Sequence, residues 1–126
     1  MRVLGLMSGT SADGIDAVLV QFQGNVSSPY WSLVNTASLP YPEELRQFVV
    51  NVGQGSSFTS PEWLFYSEQI TELHARAAHA CDPNGTAELV GAHGQTLWHE
   101  PPSDNKRGAT WQALNGALLA TLLDRK

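Results

Sequence analysis

The chain has 126 residues, 42 % of them hydrophobic and 15 % charged. That length suits one domain or part of a larger one, and the charged fraction is low beside the ~25 % usual for a free-standing domain, which implies surface meant to be covered. Seven Lys and Arg against twelve Asp and Glu leave a net charge of −5, which excludes the basic face of a general nucleic-acid binder and the polybasic patch of a membrane-surface protein.

A single cysteine, Cys81, excludes an internal disulfide framework and a Cys-rich zinc module. No apolar run approaches the ~18 residues that span a bilayer. The apolar stretch at the N-terminus is shorter than a signal-peptide core of ~7–15 residues. These features predict a cytoplasmic protein.

Residues 3–7 are apolar and run into a Gly/Ser/Thr/Asp cluster, and residues 15–22 are rich in Ala, Val and Leu. Two short apolar runs around a turn predict strand, turn, strand. GNVSSP at 24–29 signals a second turn, and residues 30–39 suit a third strand, ended by Pro40 and Pro42. The first forty residues thus predict a three-stranded antiparallel meander. Residues 43–50 predict a short helix after Pro42. A longer helix should start at Ser60 as N-cap with Pro61 behind it. Its apolar face is Trp63, Tyr66, Ile70, Leu73 and Ala77, and its end lies near Asp82–Gly85. Residues 88–92 read as a short buried strand, 100–107 as a polar loop and 113–123 as an apolar helix. Strands first, then helix–strand–helix, predicts an α/β domain with a mixed sheet. The last helix is apolar on several sides, which predicts an incomplete domain.

Two segments carry candidate chemistry. The first is Gly9-Thr10-Ser11-Ala12-Asp13-Gly14-Ile15-Asp16 with its approach from Gly5. Glycines let backbone N–H groups face a ligand, and successive N–H groups form an anion-binding concavity. Thr10 and Ser11 add hydroxyls, and Asp13 or Asp16 could hold a metal ion through its waters. The spacing is neither a Walker A loop nor the dinucleotide fingerprint. The same residues also suit an ordinary hairpin turn. The second segment, His93-Gly94-Gln95-Thr96, follows the strand at 88–92, where ligands of open α/β sheets sit. Its polar edges suit a sugar, or equally a locally bonded loop. His93 and His99 lack a third ligand of matching spacing. His74 and His79 read as surface or helix-interface residues, Cys81 as a small buried hydrophobe, and Trp63, Phe65 and Tyr66 as core.

GLMSGTSADGIDAVLV at 5–20 and GAHGQTLWHEP at 91–101 together resemble the anhydro-N-acetylmuramic acid kinase family, with a weaker match in TWQALNGALLA at 110–120. The resemblance implies the actin, sugar kinase and heat-shock ATPase superfamily, with its ribonuclease H-like domain. It implies an enzyme that opens 1,6-anhydro-N-acetylmuramic acid with water and phosphorylates it from ATP, giving N-acetylmuramic acid 6-phosphate in cell-wall recycling. On that basis Gly9 to Asp16 are expected to bind ATP, with Mg²⁺ held by Asp13 or Asp16. His93, Gly94, Gln95, Thr96, Gln112 and Asn115 are expected near the amino sugar. Dimers occur in the family. Two departures stand out: Met7 lies roughly where the superfamily has a first-strand aspartate, and Leu114 stands where the family normally has Gly. Residues 1–126 are expected to form an incomplete N-terminal lobe without the general base or second lobe, and so to be inactive alone. The rival expectation is a non-enzymatic ATP-binding or interaction module related to chaperone-type ATPases, which has no need of the His93–Thr96 segment.

Overall fold

A computed structural model describes residues 1–124. Strand β1 (Arg2–Ser8) turns Leu4, Leu6 and Ser8 inward, and β2 (Gly14–Asn25) does the same with Ile15, Ala17 and Leu19. This is the period of two that a pleated strand imposes. A tight turn leads to β3 (Ser28–Pro40), with the Asn25 side chain accepting from the Ser27 and Ser28 amides. Such an Asx arrangement fixes a turn locally. β1 pairs antiparallel with β2, and β2 with β3, with one register shift at Leu19/Val20.

Helix α1 (Glu43–Gly53) and helix α2 (Ser60–Cys81) follow. Ile70, Leu73, Ala77, Ala78 and Cys81 of α2 pack against the inner face of the sheet. Each large apolar side chain buried this way is worth about 1.5–3 kcal/mol. Asp82 ends the helix, and its carboxylate accepts from the Thr86 and Ala87 amides, which swings the chain back to the sheet. There β4 (Leu89–Ala92) pairs parallel with β1, giving a mixed sheet of order β3-β2-β1-β4.

Beyond β4 the expected helix–strand–helix order needs correction. Gln95–Glu100 is a strand, β5, and Ala109–Ala113 is a strand, β6, paired antiparallel as a separate hairpin. A register shift between Thr96 and Trp98 sends Leu97 into the core. Helix α3 is Gly116–Leu122, capped by the Asn115 side chain on the Leu118 amide. Ala113 therefore ends a strand rather than starting a helix.

Smaller differences follow the same logic. α1 runs three residues further than expected. The N-cap of α2 is Thr59, whose hydroxyl accepts from the Glu62 amide, and Ser60 is already helical. β4 is an edge strand and half-exposed rather than buried. Phe65 points outward at 52 % exposure, while Trp63 and Tyr66 pack inward. Cys81 is buried, as expected of a small hydrophobe.

Candidate functional site

The 9–13 turn joins β1 to β2 at the end of the sheet. The Ala12 amide donates to the Gly9 carbonyl at 3.2 Å, closing the turn. Ala12 sits at φ +56 with its methyl fully buried. A left-handed residue with a Cβ costs about 1–2 kcal/mol, so the surrounding core holds this turn in shape. Gly14 is demanded by packing, since a Cβ there would collide with the Leu39 carbonyl oxygen. Gly9 is not: a Cβ there would meet only Ser11 Oγ at 3.6 Å. Its outer side is open to a ligand's close approach.

The turn separates two recesses. On one side Gly9, Ser11, Asp13, Gly14, Asp16 and Ser38 line a space of about 330 Å³. On the other, Thr10 shares a space of about 370 Å³ with Thr96, Trp98 and His99. Ala12 and Ile15 point into the core, so they can meet a ligand only through their backbone. The Asp16 carboxylate accepts from the Ser38 hydroxyl at 2.6 Å, and Asp13 lies 3.6 Å from Arg46 Nε. Among the described residues, no three metal-ligating side chains cluster.

The two motif segments, 86 residues apart, are tied directly. Gln95 Nε2 donates to the Gly9 carbonyl and to its neighbour Thr96, both at 3.1 Å. Ser8 Oγ donates to the Gly94 carbonyl at 3.1 Å. Gln95 is wholly buried, with Oε1 unpartnered, so it acts as a strut under the turn. Gly94 has φ +78 and lies against the Ala113 carbonyl and Leu114. His93 is exposed, with Nδ1 at 3.1 Å from the Gly94 carbonyl. Gln112 Nε2 reaches Thr110 Oγ1 at 2.6 Å and Thr96 Oγ1 at 3.4 Å, which places it beside Thr96 on the hairpin. Asn115 is occupied as the α3 cap, and its amide donates to Thr71.

Beneath the turn lies a buried polar group that sequence reasoning did not assemble: Ser8, Tyr41 and His74. His74 Nδ1 is 2.7 Å from the Ile70 carbonyl, so the proton of the neutral ring sits on Nδ1, and Nε2 faces Ser8 Oγ at 3.5 Å. Burial pulls the His74 pKa down, opposed by that backbone bond. Burial likewise pushes the Tyr41 phenol up to about 12, tempered by the nearby Ser8 hydroxyl. Tyr41 Oη makes no hydrogen bond of standard geometry. A Ser at the end of an apolar strand is the only local signal for this group, since His74 and Tyr41 join it through tertiary packing.

The glycine turn stands at the end of a mixed α/β sheet and is hydrogen-bonded to the start of the β5–β6 hairpin, an arrangement consistent with part of a kinase domain, and comparison with known proteins points to that class. The match to the family described as anhydro-N-acetylmuramic acid kinase runs over residues 1–124, and the chain belongs to that family. It is 66 % identical over 125 residues to the anhydro-N-acetylmuramic acid kinase of Prochlorococcus marinus strain MIT 9313, covering 99 % of this chain and 33 % of that relative. To the kinases of that name from P. marinus strain NATL1A and Synechococcus sp. strain CC9902 the identities are 58 % and 55 %, with the same coverage. The chain thus spans about a third of the length of the curated relatives it matches.

Proposed function

We propose that this chain supplies the N-terminal lobe of an ATP-dependent kinase that opens the anhydro ring of 1,6-anhydro-N-acetylmuramic acid with water and phosphorylates the sugar. The observation that carries the reading is the direct tie between the turn and the facing segment through Gln95 and Ser8. It fixes the turn between two recesses, one on the Ser11 side and one on the Thr10 side, as transfer of a phosphoryl group between two ligands requires.

In this reading the Ser11 side of the turn takes the ATP phosphates, with backbone N–H groups of the turn as donors, apart from that of Ala12, which closes the turn onto Gly9. Thr10 and Thr96 face the sugar. Gln95 holds the turn rather than the substrate, and Gln112 positions Thr96. His93 is exposed but lines neither recess, so in this reading it would meet the sugar only from outside the Thr10–Thr96 space. Asp13 and Asp16 line the phosphate-side recess. Two carboxylates without a third ligand suit Mg²⁺, which keeps most of its waters and binds largely through phosphate oxygens. Bound there, the ion would neutralise phosphate charge. The general base and the second lobe lie in polypeptide outside residues 1–126, the fold is of the actin-like ATPase kind, and the enzyme works in the cytoplasm.

The test is a chimera in which residues 1–124 replace the matching third of the P. marinus MIT 9313 relative. Sugar-dependent ADP release is expected, and Ser11→Ala or Asp16→Asn should reduce kcat/KM at least tenfold. A chimera that melts cooperatively yet shows no turnover would overturn the proposal.

A further inference from the structure

The β5–β6 hairpin carries a third recess. Trp98 and Trp111 are register partners across the hairpin, so their side chains leave the same face. With Val52, Gly55, Phe58 and Thr110 they line a space of about 420 Å³. That lies within the ~300–1,000 Å³ of small-molecule sites, which are largely aromatic with a few placed polar groups. The two indoles are 42 % and 41 % exposed. Trp111 is backed by Trp63 and Phe58, with ring centroids 5.0 and 6.0 Å away. Trp98 lies against Gly55, where a Cβ would stand 3.9 Å from its six-membered ring, and its Nε1 donates to Glu100 at 3.2 Å. Both rings are thus held in place while each keeps a bare surface.

Two features join this recess to the one on the Thr10 side of the turn. Trp98 lines both. Gln112 Nε2 reaches Thr110 in this recess at 2.6 Å and Thr96 in the other at 3.4 Å, so one carboxamide links a hydroxyl of each. The lining fixes the kind of occupant. None of its residues is charged, so a phosphate or carboxylate gains no counter-charge there. An indole presents a negative face, which suits the weakly positive C–H face of a pyranose ring, and Thr110 and Ser56 supply hydroxyls at the rim for the ring's own.

We propose that the Trp98–Trp111 recess is a second saccharide subsite, taking a neutral pyranose ring joined by a glycosidic bond to the sugar held beside Thr10 and Thr96. The substrate class of the site then extends from a single anhydro sugar to a disaccharide that ends in one. The proposal rests on the sugar-side reading above, but its test is binding and needs no turnover.

The chimera described above is titrated calorimetrically, without ATP, with two probes: 1,6-anhydro-N-acetylmuramic acid, and the disaccharide carrying N-acetylglucosamine β-1,4-linked to it. The disaccharide is expected to bind at least fivefold tighter than the single sugar. Trp111→Ala should bring it down to the single-sugar level while the single-sugar Kd stays within twofold. Ala109→Arg, on an exposed lining residue, should do the same by filling the recess with every ring left in place, which covers the case in which Trp111→Ala fails to fold. A disaccharide that binds no tighter than the single sugar, or an advantage that survives in the folded variants, would overturn the proposal. Failure of both sugars to bind would overturn the sugar-side reading and this subsite with it. Binding of both as expected, without turnover, would count against the kinase reading alone.

Discussion

Gly94→Ala tests whether the loop facing the turn is held by backbone geometry. At φ +78 an alanine carries left-handed strain of about 1–2 kcal/mol. Its Cβ would sit 2.8 Å from the Ala113 carbonyl oxygen and 3.1 Å from Leu114 Cβ, an overlap of the kind that costs about 1–3 kcal/mol. The sum is about 2–5 kcal/mol, a large part of the ~5–15 kcal/mol that holds a domain folded. Leu114→Gly in the same chain should recover little, because the Ala113 carbonyl stays in place. Gly91→Ala is the matched control. With open space around its Cβ, the isolated chain should gain about 0.4–1 kcal/mol through a less free unfolded state. Urea denaturation followed by far-UV circular dichroism reads both. Midpoints of the two variants within ~0.5 kcal/mol of each other, the ordinary range for a neutral surface change, would refute the reasoning.

Other outcomes follow from the same geometry. His74 is held neutral by burial, so its folded pKa lies below the unfolded ~6.5 and the unfolded state binds the proton first. Stability should be full above that value and fall as pH drops below it, by at most about 1.4 kcal/mol per pH unit; urea midpoints from pH 8 to 5 should show this slope, and His74→Phe should flatten it. Thr59→Ala should cost about 0.5–2 kcal/mol as a lost N-cap, whereas Ser60→Ala should be near neutral in the same thermal melts; the reverse order would return the cap to Ser60. The isolated chain should give no sugar-dependent ADP release above background in a coupled assay, and measurable turnover would refute that expectation.

The early strands were legible because two short apolar runs flank a Gly/Ser/Thr/Asp turn cluster, while the inward period of two at Leu4, Leu6 and Ser8, then Ile15, Ala17 and Leu19, emerges only in the folded sheet. α2 was legible from its three- and four-residue apolar spacing, though Thr59 and Ser60 are both good caps and sequence alone chose the wrong one. The β5–β6 hairpin was hidden by its own irregularity: the shift at Leu97 breaks the alternation, and Gly94-Gln95-Thr96 reads as loop. Asn115 was a visible cap signal, but the apolar Ala113 and Leu114 before it pulled the expected helix three residues too early. For the candidate site, the motif glycines pointed to the turn, yet no local pattern tells that Gln95 is buried under Gly9 or that Thr10 and Ser11 face opposite recesses. Those are facts of chain crossing, set by residues 86 positions apart.

Ser8 has one hydroxyl proton and two claims on it. The Gly94 carbonyl at 3.1 Å takes it by distance, and His74 Nε2 faces the same hydroxyl from 3.5 Å. Rotation about a single C–O bond would hand the proton to the ring and release the carbonyl, with no backbone atom displaced. A proton arriving at Nε2 would do the opposite, turning the ring into a donor and pinning the hydroxyl toward Gly94. The joint between the turn and its facing loop therefore keeps its hydroxyl on Gly94 in either protonation state of His74, and a charged ring only removes the alternative.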